Sequence, residues 1–151
     1  MNTTVKFPVA LICIFTWIGF VCAISFMEAW LKFRAPGITV PLGLGIGRLV
    51  FAALNKVEWV FAIITGFTVV KNHKYISLSI KLALLSVSMI LLLQTFWLLP
   101  ALDHRAILLL RGEKIFASSH HIWYIIAEIL KVIGLFIAGC SFFKRDLRIN
   151  L

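Results

Sequence analysis

The last long apolar run of the chain, from Ser119 to Cys140, carries His121, Tyr124, Glu128 and Lys131 at helical spacing, so these four side chains share one face of a helix. An imidazole one turn from a phenol could pass protons, and a carboxyl group shielded from water is a candidate acid or base. Further polar groups interrupt other apolar stretches: Glu28, Arg48, Asn55, Glu58, Asp103 and Arg105. Together with His121, Tyr124 and Glu128 they form a candidate ligand-binding set. His120, His121, His104, Asp103, Glu28 and Glu128 offer nitrogen and oxygen donors acceptable to a metal. However, adjacent histidines point about 100° apart on a helix, so one ion would not take both, and no HExxH spacing occurs; the metal signal is weak and the residues name no cofactor. No serine or cysteine sits in a nucleophile motif, and the residues lean away from an enzyme.

Groups of this kind need elements to hold them. The chain has 151 residues, 62% hydrophobic and only 14% charged, with a mean hydropathy of +1.03; soluble domains carry more charge and are nearer half apolar. The pattern predicts an all-α, polytopic membrane protein. It forms one four-transmembrane-helix bundle, with spans at about 7–31, 47–70, 75–99 and 119–142 and a short interfacial helix between helices 3 and 4. A net charge of +9 raises nucleic acid as a partner. The basic residues nevertheless cluster at the ends of apolar runs, where membrane proteins place them, so nucleic acid is set aside and the lipid bilayer is the expected partner.

The first run is too long for a signal peptide and lacks a small-x-small cleavage site before a polar domain, so it reads as a retained helix. Pro8 suits a first helical turn, and Gly19 with Ala23 offers a face for close helix approach. Between Ala35 and Gly47, two prolines and four glycines predict a loop lying on or dipping into the membrane. In the second span Arg48, Ala52, Asn55 and Trp59 share a stripe flanked by Glu58 and should face the bundle. The third ends at Pro100, and Ala106 to Leu110 is apolar again, before the turn Arg111-Gly112-Glu113-Lys114. Ser118 or Ser119 is the expected cap of the last helix. Cys13, Cys22 and Cys140 fall inside apolar runs with no ligand spacing and read as small buried residues.

Four spans put both termini on one side. Lys6, Lys71, Lys74, Lys144, Arg145 and Arg148 lie there against Lys32, Arg34, Arg105, Arg111 and Lys114 opposite, which favours cytoplasmic termini by a small margin. Glu28, Arg48, Gln94, Asp103, His104, Arg105, His120, His121 and Tyr124 then gather toward the extracytoplasmic end, with Asn55, Glu58 and Glu128 deeper.

Trp17-x-Gly19 with Phe26, Phe33-Arg34, Gly47-Arg48-x-x-Phe51 and Trp97-x-x-Pro100 with Arg105 resemble the small four-helix membrane proteins grouped as domain of unknown function 4149, similar to the transmembrane protein 205 group. Over nearly the whole chain the resemblance implies a four-helix integral membrane fold. In animals, that group is associated with metal-drug resistance or trafficking. Glu128 stands where that pattern leads one to expect an asparagine.

The residues therefore point to an extracytoplasmic-side intramembrane pocket that binds or transports an ion, a metal or an amphipathic ligand. One alternative is a structural subunit in which the charges, Glu28 with Arg48 and Glu58 or Glu128 with Lys56 or Lys131, only lock helix packing and the apolar faces meet a second copy or another membrane protein. The other is a membrane enzyme acting on a lipid-like substrate.

Overall fold

A computed structural model describes residues 7–113 and 119–142. All regular structure among them is helical. Four helices are long and apolar enough to cross a membrane: α1 (Pro8–Arg34), α2 (Val40–Lys71), α3 (Leu78–Leu110) and α4 (His120–Ser141). Lys6, Lys114, Ser118 and the basic stretch Lys144 to Arg148 lie outside the described residues. Ser119 occupies the cap position of α4, but its side chain makes no capping bond.

The stretch expected to be a loop is helical from Val40 onward. Thr39 caps it by accepting from Leu42 N at 3.4 Å, and Pro41 stands in the first turn, where its missing N–H has no partner to lose. Glycine content argued against a helix here, but Gly43 is buried against the Phe33 ring, which occupies the space a Cβ would need. The close approach of the two chains outweighs the backbone entropy that glycine gives up.

In α3 the helix passes through Pro100 without a break. The five residues Gln94–Leu98 widen into a π turn just before it, which relieves the clash of the proline ring with the preceding carbonyl. The apolar stretch expected as a short helix is the end of this element, Leu99–Leu110. At 33 residues, α3 is about 50 Å long at 1.5 Å per residue, so its last turns stand beyond a hydrocarbon core of roughly 30 Å. A second π turn, Cys22–Glu28, widens α1.

The helices form a closed ring of neighbours. α1 packs on α2 and α4; α3 packs on α4 along Leu78–Leu93 and on α2 along Leu99–Leu110. At the centre lie Ile14, Trp17, Val87, Leu91 and Leu135, while Ile12, Ile63, Phe67, Leu85 and Phe136 point outward and stay more than half exposed. Charge follows the reverse rule, with Glu58, Glu128 and Lys131 buried. Such an arrangement suits a lipid solvent, which solvates leucine and rejects ammonium.

Small residues behave differently from expectation at two places. Gly19 meets nothing within 4 Å and, like Ala23, faces outward, so that pair is not a helix contact. Cys22 and Cys140 are also exposed and only Cys13 is buried. The close crossing instead involves Gly134 on α4, where a Cβ would come 2.8 Å from Val87 Cγ2 of α3. Gly134→Leu is expected to force these helices apart and cost about 1–3 kcal/mol or more, read as a lower unfolding temperature in detergent. Gly66→Ala, with open space around it, serves as the tolerated control; equal stability of both variants would refute the crossing.

Candidate functional site

Lys131 sits on the polar face of α4 with no exposure to solvent or lipid, and its ammonium organises residues from three helices. It forms ion pairs with Glu58 of α2 and, at 3.2 Å, with Glu128 Oε2 one turn away. It also donates to Gln94 Oε1 at 2.6 Å. The Gln94 amide on α3 in turn donates to Glu128 Oε1 at 3.0 Å, so Gln94 stands in the π turn as a bridge between cation and anion. From α1, Trp17 Nε1 donates to Glu58 Oε1 at 2.9 Å. Every helix therefore contributes to one buried network. Two acids and one base leave it with a formal charge of −1, and Glu58 Oε2 and Glu128 Oε2 accept no hydrogen bond.

Toward the end of the bundle where α1 stops and α2 begins, a second polar group surrounds open space. A cavity of about 660 Å³ is walled by Phe33, Leu44, Phe51, Leu99 and Leu109, among others, with Lys32, Arg48, Asn55, Lys56, Asp103, Arg105 and His121 around it. Arg48 is ion-paired with Asp103 across α2 and α3. Lys32 pairs with Glu28 at 3.1 Å, packs beside Gly47, and lies 5.4 Å from the centre of the Phe51 ring. Asn55 Nδ2 donates to Thr95 Oγ1 at 2.9 Å, and Trp59 Nε1 donates to the same oxygen at 3.0 Å. That hydroxyl also donates to Leu91 O at 2.7 Å.

A smaller cavity of about 250 Å³ lies between α1, α2 and α4, lined by Ser25, Phe51, His121, Tyr124 and Glu128, among others. Phe51 and His121 border both spaces. The Phe51 ring meets Tyr124 edge to face at 5.3 Å.

The expected site residues thus divide into groups. Arg48, Asn55, Asp103 and Arg105 line the larger cavity, Tyr124 and Glu128 the smaller, and His121 both. Glu58 belongs to the network around Lys131, and Glu28 holds Lys32 from outside the larger cavity. Participants absent from the expected ligand-binding set include Lys131, Lys32, Lys56, Trp17, Trp59, Gln94 and Thr95. Lys131 had a visible signal, since it follows Glu128 by three positions on the same stripe, and Gln94 stood among the polar residues expected at this end. Thr95 had none, because the π turn that aims it is not marked by residue type. Among the described residues, no three His, Cys, Asp or Glu side chains gather as a metal would require.

Removing the cation alone leaves two acids buried without their partner, so Lys131→Met is expected to destabilise the protein by about 3–5 kcal/mol. Replacing all three charged residues together, Lys131→Met with Glu58→Gln and Glu128→Gln, is expected to recover most of that loss. Thermal or denaturant unfolding in a fixed detergent reads both variants. A single variant as stable as the parent would show that the pairs contribute nothing.

No family model, no curated protein and no solved structure matches the chain. Its own helices and charges describe it: a four-helix, membrane-like protein with buried ion pairs around Lys131.

Proposed function

We propose that the larger cavity binds an amphipathic molecule with an anionic head. The observation that carries this reading is its lining, in which Lys32, Arg48, Lys56 and Arg105 surround walls that are otherwise chiefly aromatic and aliphatic. Glu28 pairs with Lys32 and Asp103 with Arg48, which leaves the charge of Lys56 in excess among the described residues. A phosphate or carboxylate would balance the excess, while an acyl chain or ring system would fill the apolar part. The volume of about 660 Å³ is within the roughly 300–1,000 Å³ of ordinary ligand sites.

The basic residues at the span ends favour cytoplasmic termini by a small margin; with that orientation the cavity mouth would lie in the outer leaflet. The resemblance to the domain of unknown function 4149 group bears on the same place, since Gly47, Arg48, Phe51, Pro100 and Arg105 all line this cavity.

Delipidated protein titrated with phosphatidylglycerol, and separately with phosphatidylcholine of the same chains, tests the reading by native mass spectrometry. The anionic lipid is expected to be retained in preference. Lys56→Gln with Arg105→Gln should weaken it about tenfold, the scale of one lost charged hydrogen bond, and Ala52→Trp should fill the space and abolish retention of both lipids. Equal retention in every variant would reject the cavity as a ligand site and leave the charges as packing devices.

A further inference from the structure

The network around Lys131 contains two carboxylates and one ammonium, with Glu58, Glu128 and Lys131 each at most 1% exposed. Among the described residues no second cation is paired with this net negative charge, and an uncompensated ion in a membrane interior is costly. One additional positive charge makes the group neutral. The two acids differ in how such a charge could arrive. Glu58 lines neither cavity, and its carboxylate is closed in by Trp17 and Lys131. Glu128 lines the smaller cavity, and its Oε2 has no hydrogen-bond partner although the residue is fully buried. The wall of the same cavity holds Ser25, whose buried hydroxyl is likewise without a partner.

We infer that Glu128, a residue of the smaller cavity's wall, is the seat of one exchangeable proton, delivered through that cavity and held by its carboxyl group. The groups around it are Glu58 on α2, Gln94 on α3, Ser25 on α1, and Lys131, Tyr124 and His121 on α4. Gln94 and Lys131 donate to Oε1; Oε2 lies 3.2 Å from the Lys131 ammonium but accepts no hydrogen bond, and it is the oxygen that takes the proton. On loading, an O–H bond of a hydronium ion breaks as the Glu128 O–H bond forms, and a water molecule is left. On release the reverse occurs, and Lys131 remains an ammonium throughout. His121, exposed at the border of both cavities, and Tyr124, one turn farther in, mark the route from the mouth. This assignment stands on the charge count and the smaller cavity, and does not require a ligand in the larger one.

Infrared difference spectroscopy of the full chain in lipid nanodiscs tests it, because a protonated carboxyl has a C=O band that no histidine, lysine or tyrosine contributes. The expected result near neutral pH is one such band, equivalent to one proton per chain, that shifts when the folded protein is mixed with D2O. Glu128→Asp should move the band, whereas Glu58→Asp should leave it in place. Either Glu128→Gln or Glu58→Gln should abolish it, since each balances the remaining charges. The parent protein and the two aspartate variants decide the question even where a glutamine variant fails to fold. Absence of the band, a band that follows Glu58→Asp, failure to exchange in D2O, or loss of the band on adding Na+ or K+ at constant pH would overturn the assignment, the last in favour of an alkali cation.

Discussion

An ammonium group cannot be left in hydrocarbon, and Lys131 stands in the middle of a helix that must cross it. Its answer comes from separate segments: Glu58 on α2, Gln94 on α3 and Glu128 on its own helix, with Trp17 on α1 fixing the acid opposite. Each of these partners exposes its polar atoms correctly only when the others are in place. Apolar surface gives lipid-embedded helices little reason to prefer one rotation to another, because acyl chains solvate leucine as well as another helix does. A central cation bound to all its neighbours removes that freedom. The network therefore selects one arrangement of the four spans, whatever its net contribution to stability.

Packing above and below the network completes the selection by shape. Gly134 allows α4 to lie close to Val87, and Gly43 receives the Phe33 ring where α1 turns into α2. Between these contacts the bundle does not close fully, and two hollows remain at the end where Arg48 and Asp103 meet. Phe51 is their common wall, held by the Lys32 ammonium on one side and by Tyr124 on the other. Polar chemistry and open space thus occupy the same half of the molecule, while the other half is filled by Ile14, Ile80, Leu135 and their neighbours.

Much of this could be read from residue order. Four apolar runs of spanning length imply four helices, and the recurrence of His121, Tyr124, Glu128 and Lys131 implies an inward face; the last three are buried, while His121, in the first turn of the helix, is exposed. Partner choice was readable only in part, because it depends on how each helix is rotated. Lys131 was eligible for Glu58 or Glu128 and pairs with both, but Glu28, expected with Arg48, finds Lys32 on its own helix, and Arg48 finds Asp103. The helical start at Val40 was hidden for a related reason. Glycine and proline were weighed by their local cost, and the compensating contact, Gly43 with Phe33, lies on another helix. One pocket was expected where there are two, since an aromatic partition such as Phe51 looks like any other apolar residue in a span.

The wide turn Gln94–Leu98 gives α3 a property that an uninterrupted helix lacks. Each residue advances a regular helix by about 100°, so the extra position in a π turn shifts the phase of everything beyond it. Leu78–Leu93 can keep Val87 and Leu91 turned to α4, while Leu99–Leu110 is set separately to bring Asp103 and Ala106 toward α2. One continuous rod in this way presents two differently aimed faces. The seam between them is where Gln94 and Thr95 enter the interior, so the change of aim and the placement of the polar side chains arise from the same five residues.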